Sequence, residues 1–370
     1  MNLRKSIILL TSFVAQNIWE TKNGEIYVNN TIPYRIRGVN WHGIETNCKV
    51  PHGLWLNKVS FYLDILNANK FNSVRLPVSY EVMNNLDQPV LQSCLTSNPE
   101  LEHLSVGDFL DYFMDTLRVR NITLLVDLHT IQGRITQYPW TNSVSFNATK
   151  SAWVNFLKRY GTKVFGVELK NEPHNECQLD EFIHWCVSTI ESIERETSFN
   201  GLYFISGVQY TFKDGSFNTT WDGITGDKQG SHFPGTNYGD LRETSDLANP
   251  NIPLNRIIFS PHIYAPDIED AENSINWESQ FGFIKRKNWI FKDIPIIFTE
   301  LGGKLDGPDY DYYLEFGNWA RENRLINGMY WYTLPPTSVS TGGLMVGDQW
   351  NKIDSRKMEY IKAFIPDPTI

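Results

Sequence analysis

A (β/α)8 barrel is the fold this sequence predicts, and three observations predict it. Eight strand-like runs alternate with stretches long enough to hold helices, the mark of βα units on a parallel sheet. Polar and aromatic residues gather at the carboxyl ends of those runs, where such a barrel builds its site. The length of 370 residues suits one domain of this kind, which commonly takes about 250 residues before insertions. A doubly wound open sheet is the competing architecture, but no glycine-rich phosphate loop follows the first strand.

Residues 1–18 begin with two cations and an apolar stretch too short to span a bilayer. They read as a secretion signal, with a buried first strand as the alternative, and a single domain occupies 19–370. A hairpin-like lead-in, GEIYVNNTIPYRI, precedes a strand ending in Gly38-Val39-Asn40-Trp41-His42-Gly43. Lys58 to Asn69 carries an apolar helical face. The strand Asn72 to Ser79 holds Arg75 in an apolar setting, where a guanidinium needs a carboxylate partner. A helix over Val106 to Arg120 leads to a strand over Asn121 to His129, ending on a histidine.

A helix over Lys150 to Tyr160 precedes VFGVELKNEPH, Val164 to His174. This apolar run stops at Asn171-Glu172-Pro173, and the proline should push Glu172 towards an extended backbone at the strand end. Leu179 to Thr197 reads as a long helix and Gly201 to Ser206 as the fifth strand. Gly207 to Pro253 is then a long insertion, of a length that is usually functional or disordered. Its Tyr210, Phe212, Trp221, Phe233 and Tyr238 suit a lid or cleft wall.

The strand Asn255 to Tyr264 places His262 and Tyr264 on one face. Another helix follows, and the strand Ile294 to Gly303 carries Glu300 before two glycines. A helix over Tyr310 to Glu322, a last strand over Asn327 to Tyr332 with Trp331, a loop over Thr333 to Trp350 and a helix over Arg356 to Phe364 complete the chain. Asp306, Asp309 and Asp311 lack the remaining ligands of a calcium loop and read as a solvated loop and helix start.

Composition narrows the partner. A formal charge of -9 without a basic cluster argues against nucleic acid or anionic membrane. Aromatics form 14% of the chain, with 12 Trp and 17 Tyr, residues that stack on flat apolar faces such as those of sugars. Four cysteines allow three complete pairings, of which Cys48 with Cys94 and Cys177 with Cys186 is favoured, with buried free thiols as the alternative. Their spacing has no zinc signature, and no cofactor or metal is called for. Sequons at Asn29, Asn121, Asn147 and Asn218 are glycosylation acceptors in a eukaryotic secretory route.

Two strand-end glutamates suggest a paired-carboxylate site. Cleaving an acetal between sugars needs a proton for the leaving oxygen and stabilisation of an oxocarbenium-like centre, work for two carboxyl groups. Arg75 and the Tyr264 hydroxyl could hold Glu300 ionised as nucleophile, and Glu172 beside Asn171 would be acid, then base.

With those residues in place, the chain resembles glycoside hydrolase family five, the cellulase family of retaining (β/α)8 glycosidases, from about Trp19 to Trp350. The family's strand-end residues fall in order on Arg75, His129, Asn171 with Glu172, His262 with Tyr264, Glu300 and Trp331. The resemblance implies retention, with Glu172 as acid/base and Glu300 as nucleophile. RGVNWHGIET, KNEPH and WYTLPPTSVSTGGLMVGDQW are similar to the secreted endo-β-1,4-glucanase branch. In that likeness Trp331 is the platform under the sugar at the cleavage point, flanked by Trp41 and His42. Leu334-Pro335-Pro336 and HTIQGRITQYPW depart from the family pattern. The implied protein is a secreted monomer acting on a β-glucan without a cofactor. Mannan, β-1,3-glucan and xyloglucan are the alternative substrates, and a barrel that only binds carbohydrate is the alternative of another class.

Overall fold

The computed structural model describes residues 17–369 apart from 132–137, 142, 175–176, 178, 210–234, 239–240, 242–245, 266–276, 287–288 and 339. Most of the 1–18 segment, and Tyr210, Phe212, Trp221 and Phe233 of the insertion, therefore lie outside the described residues.

Among the described residues an antiparallel hairpin extended by a third short strand comes first: β1 (Trp19–Lys22), β2 (Glu25–Val28) and β3 (Ile32–Pro33). Parallel strands follow in chain order, β4 (Ile36–Asn40), β5 (Ser73–Ser79), β6 (Thr123–Thr130), β7 (Gly166–Glu168) and β8 (Leu202–Ile205). Next come β9 (Ile257–Phe259), β10 (His262–Ile263), β11 (Phe298–Leu301) and β12 (Gly328–Trp331). β9 and β10 are two halves of one strand, interrupted at Ser260-Pro261. β9 pairs with β8, β10 pairs with β11, and Ile297 N donates to Phe259 O across 2.9 Å. The sheet thus closes on itself as the eight-stranded barrel expected from the sequence.

Helices α1 (Val59–Ala68), α2 (Tyr80–Asn84), α3 (Val106–Val119), α4 (Phe146–Tyr160) and α5 (Leu179–Glu196) occupy the first connections. The short α6 (Trp277–Gln280) precedes β11, α7 (Pro308–Glu322) precedes β12, and α8 (Ser355–Phe364) ends the fold. Caps set several starts. Ser105 Oγ accepts from Asp108 N, and Ser145 Oγ accepts from Ala148 N, so α4 begins four residues before the sequence reading placed it. Asp354 caps α8 in the same way.

Three layers fill the barrel. The hairpin plugs its amino-terminal end, where Trp19, Ile26 and Val28 pack with Tyr34, Leu125, Phe165, Phe204, Ile258 and Tyr330. Gly38 is required there, because a Cβ would sit 2.3 Å from the Tyr330 ring. Above lies a polar layer around Arg75, and the carboxyl ends of the strands form the mouth. The larger core fills the space between strands and helices.

Three readings need correction. Cys48 and Cys94 are joined, tying the loop after β4 to that after α2, but Cys177 and Cys186 are free and buried. Tyr238 is no cleft wall: it is buried against Phe259, and its hydroxyl donates to Ile205 O and accepts from Ser260 N. Asp309 is buried rather than solvated, accepting from Leu305 N across 2.5 Å where α7 begins.

Candidate active site

Arg75 organises the site. Strand alternation turns it into the barrel at the level where apolar filling gives way to polar groups, and it is fully buried. Nε donates to Glu168 Oε2 at 2.6 Å, and Nη1 to Asn40 Oδ1 at 2.8 Å and Glu300 Oε1 at 2.6 Å. Nη2 donates to Asn171 Oδ1 at 2.8 Å and faces Asp127 Oδ2 at 3.1 Å. The partner that an apolar-strand arginine demands is thus three carboxylates. Burial alone would lower the Arg75 pKa, but Asp127, Glu168 and Glu300 raise it well above its ordinary value.

Glu168 lies at the bottom of this layer, accepting also from Ser260 Oγ at 2.8 Å and Thr299 Oγ1 at 2.9 Å. Burial opposes its ionisation, yet Arg75 and His262 hold it down to about 2. It is a fixed anion.

Glu300 is placed by an irregularity. The β11–β12 register shifts between Phe298 and Leu301, so Thr299 and Glu300 both reach the interior. Its second oxygen, Oε2, accepts from the Tyr264 hydroxyl at 2.6 Å. Both oxygens are therefore claimed, and the side chain is almost wholly buried.

Glu172 faces it. One oxygen from each carboxylate and a ring nitrogen of His262 lie within 4.8 Å of one another. His262 Nδ1 is 2.8 Å from Glu172 Oε1 and 3.7 Å from Glu300 Oε2. Burial disfavours charge on His262, but Glu300, Glu168 and Glu172 outweigh it and raise its pKa to about 10. In return, although burial pushes Glu172 up, its hydrogen bond with His262 brings it below its usual value. Such a trio could in principle ligate a metal. Here the histidine is held protonated and both Glu300 oxygens are committed to donors, which suits proton chemistry better.

The backbone at Glu172 differs from the extended one expected before proline: φ is +42°. The left-handed region is costly for a non-glycine residue, about 1–3 kcal/mol, and persists where surroundings impose it. Here His174 Nδ1 bonds Glu172 O at 2.6 Å, and the carboxylate is drawn to His262.

His129 Nδ1 bonds Asp127 Oδ2 at 2.7 Å. Burial lowers its pKa, but Asp127, Glu300 and Glu45 overcome that and raise it. His42 bonds Thr337 and, at 3.2 Å, Thr333. Burial, with His52 and His129 nearby, lowers it to about 3, so it is neutral.

Arg75, His129, Asn171, Glu172, His262, Tyr264 and Glu300 are thus brought together, with His42 at the rim. Trp41 and Trp331 are not. Trp41 is fully buried against Tyr62 and Phe113, and Trp331 against Tyr313 and Tyr360 from the outer helices. The reason is the two-residue period: Asn40 and His42 point inward, so Trp41 points out, and Tyr330 and Tyr332 flank Trp331 in the same way. Tyr332 takes the place at the mouth, stacked on His42 at 6.0 Å and edge-on to Tyr264 at 6.1 Å. From His42 an aromatic path continues through His52 and Trp55 to Trp350, in steps of 4.9 to 5.4 Å.

The sequence reading also missed Asn40, Asp127 and Glu168. Asp127 and Glu168 stand two and four residues before His129 and Glu172, at same-face spacing, and that was the available signal.

Comparison with known proteins identifies the family. Residues 32–334 match the model of the cellulase family, glycosyl hydrolase family 5. The chain is 25% identical over 365 residues to an endoglucanase of Paenibacillus polymyxa, covering 90% of this chain and 84% of that one. It is 24% identical over 352 residues to the major extracellular endoglucanase of Xanthomonas campestris, covering 89% and 67%. An endocellulase from Pyrococcus horikoshii, solved with cellotetraose, superposes with a TM-score of 0.79 at 23% identity over 94% of this chain and 98% of that one. The catalytic domain of the Xanthomonas endoglucanase gives 0.78 at 23% identity over 94% and 100%. The chain belongs to the cellulase family, glycosyl hydrolase family 5, and is a glycoside hydrolase.

Proposed function

We propose that this chain is a secreted, retaining endo-β-1,4-glucanase acting as a monomer, with Glu300 as nucleophile and Glu172 as acid/base. The observation that carries the reading is that one oxygen of Glu172 lies within 4.8 Å of one oxygen of Glu300. Glycosidases that proceed through a covalent intermediate hold the pair at about 5–5.5 Å, whereas a wider gap leaves room for a water.

Glu300 attacks the anomeric carbon while Glu172 gives a proton to the departing oxygen. The sugar is then esterified to Glu300, and Glu172, now the base, takes a proton from the water that releases it. Arg75 and Tyr264 donate to the two oxygens of Glu300 and hold its carboxyl group in aim. The proton for the first step is held between His262 and Glu172. A sugar that expels water disfavours the ionised form of that pair and returns the proton to Glu172.

The β-1,4-glucan assignment is supported by the names of the relatives and by the aromatic path from Tyr332 to Trp350, which suits a flat, extended chain. Secretion is supported by the extracellular relative and the leading apolar stretch. Among the described residues no helix is long and apolar enough to cross a membrane.

The test is release of reducing ends from carboxymethylcellulose, mannan and β-1,3-glucan by the wild type and Glu300→Gln. Hydrolysis of the cellulose derivative, lost in the variant with binding retained, is the expected result. Activity only on another glycan would move the substrate and keep the mechanism. A variant of near-normal rate would overturn the role of Glu300.

A further inference from the structure

Lys170 is a fully buried lysine two residues before Glu172, and nothing in the chemistry above uses it. Its Nζ donates to the carbonyl oxygen of His129 at 3.2 Å and, more closely, to that of Asn171. The first carbonyl lies at the end of β6, in the residue whose ring faces the site. The second belongs to the peptide plane joining Asn171 to Glu172, whose orientation fixes φ of Glu172. That φ lies in the left-handed region, so the plane has to be held. His174 holds the plane on the other side through Glu172 O. Ser206 Oγ donates to Lys170 O at 2.7 Å, and Asn171 N donates to Leu128 O at 3.0 Å, so the ammonium works from an anchored base.

We infer that Lys170 is a positioning residue: its ammonium ties the His129 carbonyl to the Asn171 carbonyl and so sets the aim of the Glu172 carboxylate across the site. The inference rests on the reading of Glu172 as acid/base. A buried ammonium is an unfavourable way merely to fill space, since a methionine of similar volume carries no desolvation cost. The charged and titratable groups facing it are Asp127 from β6, Arg75 from β5, Glu172 beyond β7 and Cys177 ahead of α5. Burial dominates among these influences, and the Lys170 pKa falls to about 8. Above that pH the two charge-assisted bonds become weaker amine donations.

Lys170→Met, the wild type and Glu300→Gln are to be compared on a soluble cellulose derivative from acid to alkaline pH, with Tm measured for each. The expected result for Lys170→Met is a kcat lower by about ten- to a hundredfold, the scale of a slightly misplaced catalytic group. KM should hold, Tm should fall only modestly because two carbonyls lose a donor, and the alkaline fall in wild-type kcat with a midpoint near pH 8 should be missing. Should Lys170→Met fail to fold, Lys170→Gln is read by the same criteria. Unchanged kcat and an unchanged alkaline limb would overturn the inference, as would a kcat loss accounted for by the unfolded fraction. If Glu300→Gln is inactive while Lys170→Met is normal, only the role of Lys170 falls. An active Glu300→Gln removes the reading beneath it.

Discussion

Arg75 Nη1 lies 2.6 Å from Glu300 Oε1, and neither side chain is open to water. An ion pair of this kind cannot be cut on one side without consequence. Arg75→Met leaves the carboxyl groups of Glu168, Asp127 and Glu300 buried without their shared cation, and should destabilise the protein by about 3–5 kcal/mol. Urea unfolding checks this. Arg75→Lys keeps the charge but loses the forked geometry, so it should lose far more activity than stability.

The two glutamates should fail differently. With Glu172→Ala, a substrate whose leaving group needs no proton should still esterify Glu300, and the glycosyl-enzyme should accumulate for want of a base. With Glu300→Gln no such intermediate should form. Mass spectrometry of the intact protein after rapid quenching distinguishes the two, and an adduct in Glu300→Gln would overturn the assignment.

Tyr332 and Trp331 are adjacent and should behave oppositely. Trp331→Ala empties a core position against Tyr313 and Tyr360, at a cost of about 3–5 kcal/mol. Tyr332→Ala removes a ring from the mouth and should raise KM for oligosaccharides with little change in Tm. Steady-state kinetics beside thermal melts decide it.

Stability should depend on pH at both ends. The pKa of His262 rises to about 10 in the fold, above its unfolded value, so its contribution is complete below about pH 6.5 and is lost as pH climbs to 10. Glu168 is depressed to about 2, so its contribution is present above about pH 4.3 and is lost as pH falls towards 2. His262→Gln should flatten the alkaline side of the stability curve, and Glu168→Gln the acid side, although each lowers stability at neutral pH.

The sequence by itself determined the barrel and most of the residues at its mouth. Alternating strand and helix patterns, with Arg75, His129, Glu172, His262, Tyr264 and Glu300 at strand ends, required only local periodicity and the cost of burying charge. Tertiary structure decided what depends on side-chain direction and distance. It turned Trp331 outward and Tyr332 inward, and it left Cys177 and Cys186 free while joining Cys48 to Cys94. It drew Glu172 into a positive φ that no rule for residues before proline suggests, and it buried Lys170 under two carbonyls. These outcomes are set by contacts between strands distant in the chain, where a one-residue change of face or a shift in register decides which group meets the site.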